Sequence, residues 1–126
     1  MKFHNSLYII IGHEQHENAV RYDLELNQDH KIYMAHFPGH PITPGVCLLQ
    51  IARELLENLS GLPLIIDLVK NVKYLSVVSP IDIPQVSFSL SHIQVNDTGA
   101  ECRVLVTSPE NASLAKLSFK CRKRDK

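Results

Sequence analysis

The chain has no tryptophan, three cysteines and five glycines in 126 residues. Cys47, Cys102 and Cys121 are far apart and form no Cys-x-x-Cys pair. That spacing argues against both a zinc site and a disulfide framework. An excess of either charge is also missing, with 13 Lys and Arg against 13 Asp and Glu. A balanced chain is a poor candidate for nucleic-acid binding by bulk electrostatics, so a charged partner would have to be met by a local patch. Long apolar runs are absent as well. The early run over residues 7–11 is too short for a signal segment or a membrane span. The expectation is a soluble protein of a reducing compartment, the cytoplasm, with no membrane partner. A composition of 44% hydrophobic and 21% charged residues is ordinary for a folded chain. The length fits one domain, 1–126, with one core.

The apolar pattern has two periods. Val20, Tyr22, Leu24 and Leu26 alternate with Arg21, Asp23 and Glu25, which is the period of a half-buried strand. A shorter strand over residues 7–11 precedes it. Leu48, Ile51, Ala52, Leu55, Leu56 and Leu59 fall on one helical stripe. Thr43 is placed as N-cap, Pro44 as first helical residue and Gly61 as the stop. Gln50, Arg53, Glu54 and Glu57 fall on the other side. Strand patterns return over residues 64–78, from Val86 onward with a bulge near Ser91-His92, over 101–107 and over 115–122. Residues 122–126 read as a solvated charged tail. Strands without intervening helices pair mainly antiparallel, and one helix covers only one face of such a sheet. Two edges remain to be managed, and edge-to-edge dimerisation is a natural solution.

Residues 28–44 read as irregular and are rich in His, Pro and Gly. Within them His36-Phe37-Pro38-Gly39-His40-Pro41-Ile42-Thr43-Pro44-Gly45-Val46 carries the chemistry. It holds a titratable imidazole in a loop stiffened by three prolines and puts Gly45 in the first turn of the helix. That turn offers N–H groups with no helical acceptor and the positive end of the helix dipole. A glycine there lets a substrate carbonyl approach the backbone. A base beside a carbonyl-polarising amide suits proton abstraction next to a carbonyl. A Pro/Gly-rich loop can equally be only a rigid turn, and the residues by themselves leave both readings open. His13 with His16, and His36 with His40, have superficial metal-ligand spacing but no helical setting to support it.

The run His-Phe-Pro-Gly-x-Pro-x-x-Pro-Gly-Val before an apolar helix resembles the signature of the 3-hydroxyacyl-[acyl-carrier-protein] dehydratases. The resemblance extends in outline over residues 5–122. It implies an α+β hotdog fold, an antiparallel sheet wrapped around one long central helix, with no cofactor. It implies that His36 removes the C2 proton of an acyl thioester and that the Gly45 amide binds the thioester carbonyl. Phe37, Gly39, Pro44 and Val46 would contact substrate. Val46, Leu49, Phe37 and Ile42 would line an acyl tunnel. The family expects a carboxylic acid 14 residues after the histidine, where this chain has Gln50. An amide can donate a hydrogen bond but cannot transfer a proton at neutral pH. Glu54, one turn further on, could reach the site; the alternative is that Glu54 and Glu57 are solvated charges pairing with Arg53.

The implied partners are an acyl thioester on an acyl carrier protein or coenzyme A and a second hotdog chain. The assembly would be a homodimer, a trimer of dimers or a heterodimer. Acidic carriers imply a basic patch, for which Lys70, Lys73, Lys120, Arg122 and Lys123 are available. The alternatives are a non-catalytic or partner-dependent subunit, motivated by Gln50, and an acyl thioesterase.

Overall fold

The computed structural model describes residues 2–35 and 39–124. In chain order the elements are β1 (Tyr8–Gln15), β2 (Ala19–Leu26), α1 (Ile32–Ala35), α2 (Gly45–Ser60), β3 (Leu64–Tyr74), β4 (Gln85–Asn96), β5 (Gly99–Thr107) and β6 (Ser113–Lys123). The six strands make one antiparallel sheet in the order β1-β2-β4-β5-β6-β3. No helix among the described residues is long and apolar enough to cross a membrane.

The period-two residues form the inner face of this sheet. Val20, Tyr22, Leu24 and Leu26 on β2 are buried, as are Val86, Phe88 and Leu90 on β4, Cys102, Val104 and Val106 on β5, and Ala115, Leu117, Phe119 and Cys121 on β6. The helical stripe of α2 packs on that face. Leu48, Ile51, Ala52, Leu55 and Leu56 are buried there, against β3, β4 and β5. Each such leucine or isoleucine contributes about 1.5–3 kcal/mol by leaving water. The helix ends at Gly61, whose N–H donates to the Glu57 carbonyl at 2.9 Å. The bulge falls where expected. The β4–β5 register slips between Ser91 and Gln94, and His92 takes a φ of 50°.

Several boundaries differ from the sequence reading, each for a local reason. Helix α2 starts at Gly45, so Pro44 is its N-cap, and no side chain caps it. Thr43 is instead buried. Its N–H donates to the Val78 carbonyl at 2.7 Å, and its hydroxyl shares a hydrogen bond with the Tyr33 hydroxyl at 2.9 Å. Tyr33 belongs to α1, a single turn inside the stretch read as irregular. Strand β3 stops at Tyr74 because the N–H groups of Leu75 and Ser76 both turn to the Leu114 carbonyl. Strand β5 begins at Gly99, two residues early. A side chain there would strike the Cys121 carbonyl oxygen, so this glycine is a ladder position as well as a turn residue. Strand β1 runs on to Gln15, and its register with β2 slips between Ile10 and Gly12.

Strands β1 and β3 are the free edges. Strand β3 exposes Ile65, Leu68, Val69 and Tyr74 to solvent, and β1 exposes Ile9 and Ile11.

Candidate active site

The site is built around the first half of α2. His36 and Phe37 lie outside the described residues, so their expected positions are not part of this geometry. The chain becomes described again at Gly39, which takes a φ of 88° in an exposed turn beside exposed His40. Pro44 and Gly45 are half-buried at the helix start, and Val46 faces solvent with 71% exposure. Val46 is thus on an open surface rather than in a closed tunnel. Leu49 and Ile42 are half-buried.

Gly45 sits under the side chain of Tyr74, the last residue of β3. A Cβ added at Gly45 would come within 2.6 Å of the Tyr74 hydroxyl oxygen and would overlap the ring carbon that bears it. A residue with a side chain would fit there only if the Tyr74 ring moved. Partial desolvation pushes the half-exposed Tyr74 phenol above its ordinary pKa. Tyr74 was not singled out from the sequence. The signal for it was its register: Tyr74 pairs with Ala115 and Val72 with Leu117, so Tyr74 lies on the inner-face row opposite a small residue. Gly45→Ala is expected to fold with the Tyr74 ring displaced from the helix start, at a modest cost in melting temperature. Adding Tyr74→Ala should relieve the clash and recover that loss, as thermal melting of the single and double variants would show.

Gln50 and Glu54 lie one turn apart on α2, and the Gln50 Nε2 donates to Glu54 Oε2 at 3.0 Å. Glu54 is not the solvated charge that one sequence reading made it. It is 6% exposed and accepts from the Phe3 N–H at 2.8 Å, the His4 N–H at 2.8 Å and the Tyr8 hydroxyl at 3.0 Å. The N-terminal segment folds across the helix at this point. Asn5 takes a φ of 68°, Phe3 enters the core, and its ring meets His30 edge-on at 5.8 Å. Burial, and next the Glu54 charge, push the Tyr8 phenol well above the usual tyrosine range, so it remains a donor. Arg53 pairs with Glu57 at 3.0 Å and also lies 3.9 Å from Glu54, as the sequence reading had it, and Glu57 accepts from the Leu64 N–H at 2.7 Å. Helical spacing could not reveal Glu54's burial, because residues from the far N-terminus create it.

A cavity of about 320 Å³ opens next to this carboxylate, lined by Lys2, His4, Tyr8, Glu54, Asn58 and Arg124 among others. Its lining includes neither Gly45 nor Gln50. The other histidine pair considered for metal is occupied by neighbours. His16 pairs with Glu14 at 3.0 Å on an exposed strand end, and His13 packs against the Tyr22 ring. The three cysteines are buried thiols, and burial holds those of Cys102 and Cys121 at about 12.

A six-stranded antiparallel sheet carrying one helix across its inner face, with a Pro-Gly entry to that helix, defines a protein of the hotdog class. Residues 12–102 match the family described as ApeI-like, the ApeI dehydratases, and the chain belongs to that family. Among curated proteins it is similar to the 3-hydroxyacyl-[acyl-carrier-protein] dehydratase FabZ of Latilactobacillus sakei. The two are 26% identical over 118 residues, covering 87% of this chain and 82% of that protein. FabZ of Clostridium acetobutylicum is 26% identical over 96 residues, covering 71% of this chain and 67% of that protein. Among solved structures, the dehydratase heterocomplex ApeI:P of Xenorhabdus doucetiae superposes with a TM-score of 0.65 at 18% identity, covering 91% of this chain and 97% of that one. A thioesterase of Haemophilus influenzae superposes with a TM-score of 0.65 at 14% identity, covering 96% and 81%. These superpositions establish the hotdog fold.

Proposed function

We propose that this chain is a dehydratase acting on 3-hydroxyacyl thioesters of an acyl carrier protein or coenzyme A, working in the cytoplasm without a cofactor. The observation that carries the reading is Gly45, at the start of a helix that no side chain caps, beneath a half-exposed Tyr74 ring that a side chain at this position would have to push aside. The thioester carbonyl binds at that first turn. His36 removes the C2 proton, and charge develops on the carbonyl oxygen against the Gly45 amide. The C3–O bond then breaks, and the departing hydroxyl needs a proton. Gln50 has none to give, so the imidazolium of His36 returns the one it took. Water leaves, and the histidine is neutral again. Phe37, Gly39, Pro44 and Val46 contact the substrate in this reading.

Incubating the protein with a 3-hydroxyacyl carrier-protein thioester should give enoyl product and water, read by mass spectrometry. Free acid as the main product would favour the thioesterase reading instead.

The carrier's acidic surface has a matching face. On the outer side of the sheet Lys73 stands directly opposite Lys116, with Arg103 on the adjoining position of β5, while Lys120 stands opposite Glu101 and Arg122 lies further along β6. Like charges placed opposite one another on a sheet cost stability unless an anion relieves them. Of the cations expected from the sequence, Lys70 is taken by Glu101, and Lys123 lies at the strand end, where its N–H donates to the Thr98 carbonyl.

A second chain completes the site in this reading. Strand β3 is a free edge with exposed Ile65, Leu68 and Val69, and Tyr74 on the same strand touches Gly45. Pairing along that edge would cover the apolar residues and open Val46 to the partner. Light scattering at micromolar concentration should give a dimer or a multiple of one, and Leu68→Lys with Val69→Lys should shift it toward monomer. A persistent monomer from the unaltered chain, tested alone and with a second hotdog chain carrying the acid, would overturn this. The heteromeric form has its own support in Gln50, which leaves this chain without the acid a partner could supply.

A further inference from the structure

We infer that His30 is a pH-sensitive cap on α1 and, through Tyr33, a positioning residue that ties the chain before His36 to the entry of α2. Helix α1 is a single turn, too short to persist unaided. The Tyr33 N–H donates to the His30 carbonyl at 3.1 Å, and the Met34 and Ala35 N–H groups donate to the Lys31 carbonyl at 3.0 and 3.3 Å. The Ile32 N–H has no carbonyl within the turn to take it. The Nδ1 of His30 accepts it at 3.0 Å. An imidazole here serves as an asparagine does at other helix starts.

Accepting that bond requires a bare Nδ1, so the ring is neutral with its proton on Nε2. Protonation sets a second N–H against that of Ile32, and the cap becomes a repulsion. The surroundings favour the neutral ring. Phe3 meets it edge-on at 5.8 Å from the N-terminal segment, Lys31 is the adjacent cation, and neighbouring Asp29 is exposed. Burial, and next the Lys31 charge, hold the imidazole below the ordinary histidine pKa. Tyr33 carries the effect onward. It is the one buried residue of α1, and it shares a 2.9 Å hydrogen bond with the hydroxyl of Thr43, just ahead of Pro44 and Gly45. Ala35, the end of α1, directly precedes His36. Acid therefore frays α1 and loosens this tie. In the dehydratase reading, on which the kinetic half of the inference rests, acid then acts twice: on the base and on the frame that presents it.

The first test is nuclear magnetic resonance of the backbone amides of residues 32–35 between pH 5 and pH 7.5. In the unaltered protein they should move toward their unstructured positions as pH falls, in step with the His30 ring. His30→Asn caps without titrating and should hold the helical positions throughout. His30→Phe keeps an aromatic ring against Phe3 but accepts nothing, and should be frayed at both ends of the range. Amides that ignore pH in the unaltered protein, or that titrate equally in His30→Asn, would overturn the switch. Dehydration rates test the second half. Where His30 titrates, the unaltered rate should fall by more than about one decade per pH unit, and that of His30→Asn by no more than that. Equal steepness would overturn the coupling to the site. Tyr33→Phe should keep the Ile32 titration and lose about tenfold in kcat at neutral pH, with KM within about twofold. An unchanged kcat would overturn the relay through Tyr33. Absence of dehydration in every form would overturn the dehydratase reading, while the amide shifts decide the cap independently.

Discussion

Replacing His36 by alanine is expected to abolish dehydration, with turnover falling by about 10³-fold or more. The loss is large because this chain has no second proton-transfer group at the position where its relatives by resemblance carry an acid. In an enzyme with a base and an acid, deleting one leaves the other to work. In the proposed mechanism the same imidazole takes the C2 proton and returns it to the leaving hydroxyl, so its removal would end both steps. Folding should be unaffected, as circular dichroism and thermal melting would show. The histidine must begin neutral in this mechanism, so turnover of the unaltered protein should fall in mild acid. Full activity in His36→Ala would reject the proposed site.

The second large effect is a gain. Gln50→Glu is expected to raise dehydration by about 10²-fold. The substituted carboxyl would lie within hydrogen-bond reach of Glu54, because the residue it replaces already bonds there at 3.0 Å. Two carboxylates so close, one buried and one half-buried, disfavour double ionisation, and the pair tends to hold a proton. The oxygens of Glu54 already accept from three other donors, none of which reaches the new carboxyl. The proton therefore resides on the new glutamic acid, which becomes a general acid at neutral pH. The pH dependence follows in sign. The new group's folded-state pKa is raised above its unfolded value, so its favourable contribution to stability is full below the unfolded value. It is lost as pH rises through the folded value. The variant should melt lower at pH 8 than at pH 5, relative to the unaltered protein. Its rate advantage should fade over the same rise as the acid deprotonates. A variant with no gain in rate and no pH-dependent loss of stability would show that residue 50 does not face the reaction.

Much of the architecture was legible because it rests on local periodicity. The alternation through residues 20–26 and the stripe from Leu48 to Leu59 each need only one element's geometry, and both elements formed with the expected faces inward. The Ser91-His92 bulge was visible as a slip of phase within a single strand. The Pro44-Gly45 helix entry and Gly61 stop were readable for the same reason. The Thr43 cap was misplaced because a side-chain oxygen before a helix has two uses. Thr43 spends its hydroxyl on Tyr33, a partner that only the folded loop supplies. The cationic face was half legible. Lys73 was available as a charge, but its position opposite Lys116 depends on the β3–β6 register.

By itself, the sequence determined which segments become strands and which becomes the helix, and it placed glycine and glutamine at the positions where a related site needs an amide and an acid. Short-range sterics and the burial of regularly spaced apolar groups are enough for that. The tertiary structure alone decided what those positions face. Strand β3 brings Tyr74 over Gly45 across 29 residues of chain, and the N-terminal turn brings two backbone N–H groups and a phenol to Glu54 from about 50 residues away. Such contacts are set by how the sheet closes on the helix, and a carboxylate is buried or solvated according to whether distant donors arrive to replace its water.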